Sequence, residues 1–145
     1  MNSLQNLKSL LSQNKALNFK NLNDEAIDEM LDSRDGKDFE NDWLRISRTL
    51  EQKRFSAEES KAIEEIREIS YKKTFSITNH AELASYVADD FELITKSLLS
   101  GYADEWLNAL LLAYLQGVFP HAKLLPKKSG LELILETVSI RELAA

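Results

Sequence analysis

The stretch DEWLNALLLAYLQG, residues 104–117, is apolar on nearly every side when it is drawn as a helix. Its large apolar side chains point in all directions around the helix axis, and they are Trp106, Leu107, Leu110, Leu111, Leu112, Tyr114 and Leu115. Leaving this surface in water would forfeit several kcal/mol at about 25 cal/mol per Å². The stretch therefore predicts a central helix that other helices surround.

The rest of the chain carries the pattern of those surrounding helices. It has only four Gly and two Pro, and its apolar content of 43% is that of an ordinary globular protein. Apolar residues return every three or four positions in five further segments, which contain residues 4–11, 27–31, 39–50, 62–71 and 83–99. We expect an all-α fold of about six or seven helices that forms a single compact domain over residues 1–145.

Several helix ends are marked by capping residues. Ser56 and Glu59 have the spacing of a capping box, and Asn79 opens a similar cap-like sequence, NHAE. Gly101 and Gly117 suit the left-handed residue that ends many helices. These signals predict helix starts near residues 57 and 80 and helix ends near residues 100 and 116.

The last segment, SGLELILETVSIREL at residues 129–143, fits two structures. Alternation and β-branched residues in LELILETVSI favour a strand, whereas the spacing of its leucines fits a helix. We expect a helix, and the strand stays as the alternative.

The composition excludes several classes of protein. The chain has no cysteine, which removes disulfides, thiolate metal sites and cysteine nucleophiles. No apolar run approaches the roughly 18 residues of a membrane span, and the start MNSLQNLKSLLSQNK lacks the pattern of a signal peptide. A net charge of −6 disfavours direct binding to nucleic acid or to an anionic membrane. We expect a cytoplasmic protein that binds neither.

The acidity is concentrated in DEAIDEMLDSRDGKDFEND, residues 24–42, where nine carboxylates face two cations. On a helix, acids four residues apart repel each other by roughly 0.2–0.5 kcal/mol per pair, so folding gains nothing from most of them. They form either a solvated face with two acidic helix starts or a surface for a basic partner. For the second interpretation we predict seven partner-binding residues: Asp24, Asp28, Glu29, Asp32, Asp35, Asp38 and Asp42. Trp43, beside them, follows an apolar stripe, and we expect it in the core. The alternative is an interface anchor, because aromatic residues bordered by carboxylates are typical of interfaces.

Catalytic motifs are absent from the sequence. It has no G-x-S-x-G, Walker loop, dinucleotide glycine fingerprint or H-E-x-x-H. His80 and His121 each fit a polar position without a visible partner, and a calcium loop centred on Gly36 would place Leu31 where its first carboxylate belongs. We therefore expect no enzyme, no cofactor and no metal site.

The segment DDFELITKSLLSGYADEWLNALLLAYLQGVFP, residues 89–120, combines three features. They are an acidic and aromatic helix opening, Gly-Tyr-x-Asp-Glu-Trp-Leu-Asn at residues 101–108, and Gly-x-Phe-Pro at residues 117–120. This combination resembles the small helical immunity proteins of bacterial contact-dependent growth-inhibition systems. The resemblance implies a cytoplasmic, non-catalytic protein that binds a toxin domain from a neighbouring cell, commonly a nuclease. It transfers no contact residues, and the acidic stretch lies outside it.

The acids and the resemblance together favour one function. A nuclease presents Lys and Arg to grip phosphates, so an inhibitor with fixed carboxylates competes for the same groups. We therefore expect an immunity protein that neutralises a cognate toxin, a basic nuclease, through its acidic surface. The alternative is a helical adaptor or regulatory subunit that binds a helix of an intracellular partner. A hydrolase with paired carboxylates is a third hypothesis, but exposed acids four residues apart do not separate their pKa values.

Overall fold

The computed structural model describes residues 2–13, 16–19 and 22–144. Those residues contain seven α-helices and no strand, so the predicted all-α fold is confirmed and the strand alternative for the last segment is wrong. The helices are α1 (Asn2–Ser12), α2 (Asp24–Arg34), α3 (Lys37–Glu51), α4 (Ala57–Thr78), α5 (Ala81–Ser100), α6 (Glu105–Leu115) and α7 (Leu131–Ala144).

The centre of the fold is formed by α5 and α6. The stretch that predicted a central helix is α6, which buries seven of its 11 residues. The longer α5 buries eleven of its 20 residues. One cluster of buried apolar side chains draws on all seven helices, from Leu7 in α1 to Leu135 in α7. Burial of that surface is the main force that holds the helices together.

The caps predicted from the sequence account for the start of α4 but not for the start of α5. Ser56 and Glu59 form the expected capping box at the start of α4. The prediction that Asn79 opens the next helix is wrong, because Asn79 is left-handed (φ 55°) and ends α4. His80 is the residue that caps α5, since its Nδ1 accepts the backbone N–H of Leu83 at 3.1 Å. This short connection folds α4 back along α5.

The acidic stretch becomes two helices whose inner faces are apolar. Gly36 lies between α2 and α3 and precedes the first residue of α3. Phe39, Ile46 and Leu50 of α3 are buried, whereas Trp43 packs against the core but is only half-buried.

Among the described residues, no helix has the length and apolar character that crossing a bilayer requires.

Both glycines that were predicted as left-handed ends adopt that conformation. Gly101 has φ 74° and Gly117 has φ 75°. Their surroundings differ, because a Cβ on Gly117 would lie 2.8 Å from the backbone oxygen of Asn18, whereas a Cβ on Gly101 would meet nothing within 4 Å. Gly117 therefore combines backbone strain with a close approach of two chain segments.

We expect Gly117→Ala to destabilise the protein more than Gly101→Ala. The left-handed backbone costs an alanine roughly 1–2 kcal/mol at either position, and the contact with Asn18 adds to that cost only at Gly117. Gly130→Ala is the matched control, because Gly130 has open space around it and no positive φ. Urea unfolding of the three variants measures the order, and equal losses for Gly117→Ala and Gly130→Ala would contradict it.

Candidate functional site

The carboxylates of α2 lie outside its buried face. Ile27, Leu31 and Arg34 are the buried residues of this helix. Since residues three and four apart are neighbours on a helix, four exposed carboxylates follow one another along one side of α2; they are Asp24, Asp28, Asp32 and Asp35. We call this line the α2 ridge. Glu29 is also exposed; it is not a member of this line, but it lies three residues before Asp32 and so borders the ridge.

The two predicted acids of α3 belong to a different surface. Asp38 and Asp42 line a groove of about 600 Å³ between α3 and the start of α6. Arg45 bridges this groove, with Nη2 3.0 Å from Asp42 Oδ1 and Nη1 2.7 Å from Asp104 Oδ2. The structure therefore separates the seven predicted residues into the α2 ridge, Glu29 and this groove. Among the described residues, Asp42 is the one member of the set that forms an ion pair.

Asp104 has a structural role in that groove. Its carboxylate caps α6 by accepting the backbone N–H groups of Trp106 at 2.8 Å and Leu107 at 3.3 Å. Burial alone would raise the pKa of Asp104, but the hydrogen bonds from Arg45 and from the backbone outweigh it and lower that pKa below its usual value near 3.8. The hydrogen bond to Asp104 in turn raises the pKa of Arg45 against the cost of its own partial burial. The groove therefore holds a charge pair that joins α3 to α6.

Arg34, one of the two cations in the acidic stretch, is buried inside the protein. Only 5% of its surface is exposed. Its guanidinium binds the carboxylate of Asp90 on α5 through two hydrogen bonds, from Nη1 to Oδ2 at 2.9 Å and from Nη2 to Oδ1 at 2.6 Å. A parallel pair of this kind is among the strongest that a protein forms, and it fixes orientation as well as distance. Arg34 thus ties the end of α2 to the central helix α5.

Aromatic rings enclose the guanidinium of Arg34. Its Cζ lies 4.2 Å from the ring centre of Phe39, 4.9 Å from that of Phe119 and 5.3 Å from that of Tyr86, distances at which a cation is attracted to a ring. Removal from water opposes the charge on Arg34. The attraction of Asp90 outweighs that cost and raises the pKa of Arg34, so its guanidinium stays charged.

The carboxylate of Asp90 binds three side chains. It has no exposed surface. Besides Arg34, it accepts hydrogen bonds from the indole N–H of Trp43 at 2.9 Å and from the hydroxyl of Tyr114. Burial and the adjacent Asp90 charge raise the pKa of the Tyr114 hydroxyl well above its usual value, so it stays protonated and donates. One buried carboxylate thereby joins α2, α3, α5 and α6.

We did not predict this network from the sequence, although the sequence contains a signal for it. Arg34 continues the apolar stripe of Ile27 and Leu31 at the spacing of a buried helix face. Asp90 likewise lies between Val87 and Ile94 on the buried face of α5. A charge on an apolar face requires a buried partner of opposite sign. A basic and an acidic residue that both lie on apolar helix faces therefore predict a buried ion pair between them.

Neither the histidines nor the acids form a recognisable chemical centre in the described residues. His80 caps α5, and His121 lies 3.2 Å from the Ser33 hydroxyl, where burial and the charge of Arg34 lower its pKa. No group of three potential metal ligands occurs in the part of the chain that the structure describes. The twelve residues 31–42 that a calcium loop would need are helical except at Asp35 and Gly36.

Comparison with known proteins identifies a family. A family model described as "Immunity protein PIM1" matches residues 6–121. The match runs from α1 to the connection after α6, and so it includes the α2 ridge and the buried Arg34 and Asp90. A search of the curated proteins finds no match.

We expect Arg34→Met to lower the free energy of unfolding by about 3–5 kcal/mol, because it leaves the Asp90 charge buried without its partner. Arg48→Met is the matched control, since Arg48 is an exposed arginine of α3, and we expect it to change stability by less than about 0.5 kcal/mol. Urea unfolding of both variants measures the difference. A loss at Arg34 no larger than that at Arg48 would contradict the structural role of the pair.

The Arg45–Asp104 pair predicts a dependence on pH. Because the folded pKa of Asp104 lies below its unfolded value, the stabilisation is present above about pH 4 and is lost as the pH falls through the folded pKa. Asparagine still caps α6 but carries no charge. We expect Asp104→Asn to cost about 0.5–1 kcal/mol near neutral pH, with the difference shrinking as the pH falls through the folded pKa of Asp104.

Unfolding curves at several pH values measure this difference. Asp38→Asn is the control, because Asp38 is exposed and has no ion pair with any residue that the structure describes. A penalty for Asp104→Asn that is the same at every pH would rule out the charge pair as its cause.

Proposed function

The chain belongs to the PIM1 immunity protein family, and we propose that it neutralises a basic nuclease toxin by binding the toxin's cationic surface with the α2 ridge. An immunity protein has a cognate toxin as its partner. The identity of that toxin as a nuclease rests on charge, since an enzyme that grips phosphates must present Lys and Arg. The inhibitor then offers carboxylates in place of phosphates.

The observation that carries this proposal is the row of four exposed carboxylates along α2. Like charges at this spacing cost the isolated helix roughly 0.2–0.5 kcal/mol per pair. Asp28, Asp32 and Asp35 form no ion pair with the residues that the structure describes, so nothing within this part of the fold offsets their repulsion. A cationic partner would relieve that repulsion, which adds to the attraction between the two proteins.

Rigidity makes such a row effective. Arg34 lies between Asp32 and Asp35 in the sequence and is fixed to Asp90 by two hydrogen bonds. The carboxylates around it therefore project from a backbone that is held against α5. Binding does not have to order this helix first, and groups that are ordered before binding lose less entropy on association.

Three further features of the proposal come from the resemblance of residues 89–120. The toxin would be delivered by a contact-dependent growth-inhibition system of a neighbouring cell. The immunity protein would meet it in the cytoplasm and would act without covalent chemistry. The family match favours this partner over the alternative of an adaptor for an intracellular helix.

The function is tested with the cognate toxin domain, for which a large toxin-like reading frame directly upstream of the gene would be the first candidate. Co-expression should restore growth to cells that produce the toxin, and the purified chain should inhibit cleavage of DNA or RNA by the toxin in a stoichiometric complex. Absence of both effects would overturn the proposed function. Growth rescue without inhibition of a nuclease activity would retain the immunity role and reject the nuclease as target.

Reversal of two ridge charges should slow association with that toxin. We expect Asp28→Lys/Asp32→Lys to lower the association rate constant about tenfold or more at low salt, because long-range attraction speeds encounter. Glu64→Lys/Glu68→Lys is the matched control, since it changes the net charge equally on the exposed side of α4. Stopped-flow fluorescence at several salt concentrations measures both. An equal effect of the two variants would show that total charge, not the ridge, steers the encounter.

A further inference from the structure

A small notch opens beside the α2 ridge, where the turn after α2, α3 and α5 meet. Its volume is about 190 Å³, the scale of a single long side chain. Asp35, the last residue of the ridge, lines this notch. The ridge therefore leads a cationic partner towards a concave site, not only towards a flat charged helix.

The walls of the notch are aromatic and rigid. Trp43 and Tyr86 are both half-buried and line it from α3 and α5. The indole of Trp43 is held by its N–H bond to Asp90 at 2.9 Å. A partly exposed ring that cannot turn away presents a fixed surface to a partner, and Trp and Tyr are the residues that most often anchor interfaces.

The rim of the notch is anionic. Asp35 and Glu40 line it and are exposed, and neither has an ion pair with any residue that the structure describes. Asp89 lines it from α5 but shares its charge with Arg67 at 2.9 Å. Arg34 also borders the notch, and its charge is matched by the two hydrogen bonds to Asp90. The charge that remains for a ligand is negative.

We propose that this notch receives an arginine side chain of the toxin, with the guanidinium against the rings of Trp43 and Tyr86 and its N–H groups donated to Asp35 and Glu40. The inference rests on the proposed function and names the anchor of that interface. Arginine fits better than lysine because its flat guanidinium both stacks on rings and donates to two carboxylates, whereas an ammonium is a compact charge that keeps its water.

The protein already contains this arrangement one layer deeper. Arg34 lies over the rings of Phe39 and Tyr86 and binds the Asp90 carboxylate. An arginine from the toxin would repeat outside what Arg34 does inside, with Tyr86 bordering both sites. The notch therefore supplies the apolar contact that an interface of charges alone would lack.

The first test uses N-acetyl-arginine amide as the probe and follows the indole N–H signals by NMR. The chain has two tryptophans: Trp43 lines the notch, whereas Trp106 is 3% exposed and lies outside it. We expect millimolar probe to shift the Trp43 signal and to leave that of Trp106 in place. N-acetyl-citrulline amide, which has nearly the same shape without the charge, should shift neither. An unmoved Trp43 signal, or equal shifts with both probes, would overturn the proposal.

Two variants separate the notch from the rest of the acidic surface. Asp35→Asn/Glu40→Gln keeps the shape of the rim and removes its charge, so it should abolish the arginine-dependent shift. In the toxin complex it should raise the dissociation rate constant roughly tenfold, since hydrogen bonds to charged groups are lost. Glu64→Gln/Glu68→Gln, on the exposed side of α4, is the matched control and should change neither.

The outcomes distinguish this inference from the proposed function. A toxin complex that dissociates from the notch variant as slowly as from the unmodified chain would reject the notch and leave the immunity role intact. A chain that binds no toxin would reject the proposed function. The arginine titration would then still decide whether the notch recognises a guanidinium.

Discussion

The buried pair of Arg34 and Asp90 fixes the position of α2 against the central helix α5. Two charges removed from water are tolerable only if their hydrogen bonds are satisfied in the right geometry, and here that geometry exists when α2 lies at one position against α5. Trp43 and Tyr114 bind the same carboxylate, so α3 and α6 are fixed by it as well. The hydrogen bonds of this network add directional constraints to the apolar packing of the four helices.

The same network divides the acidic stretch into an inner and an outer part. The Arg34 side chain is buried and its charge is balanced by that of Asp90, whereas the carboxylates of Asp32 and Asp35 are exposed. The outer charges therefore contribute little to stability and are available to a partner. This division suits an immunity protein, which must be folded and rigid before the toxin arrives and must bind it quickly.

The sequence predicts the helices well because their signals are local. The apolar stripe of α6, the capping box of Ser56 and the left-handed Gly101 and Gly117 each depend on residues within a few positions. The assignment at Asn79 failed because two helices meet there, and one short polar segment had to end the first and begin the second. Local spacing does not show which of two adjacent polar residues ends the first helix and which caps the second.

The arrangement of the acids in the folded protein was predictable only in part. Composition locates the acids, but whether Asp38 shares a surface with Asp35 depends on how α3 is rotated against α5 and α6. Local periodicity identifies the buried face of a helix and not the helix that covers it. The notch beside Trp43 was unpredictable for the same reason, because Trp43 and Tyr86 are far apart in the chain and come together only in the folded protein.

Carboxyl-group footprinting of the chain, alone and in complex with its toxin, shows whether the toxin covers the α2 ridge. Carbodiimide-activated labelling with an amine modifies exposed carboxylates and is read out by mass spectrometry residue by residue. We expect labelling of Asp28, Asp32 and Asp35 to fall in the complex and labelling of Glu64 and Glu68 on α4 to stay unchanged. Protection confined to α4, with the acids of α2 labelled as in the free chain, would contradict it.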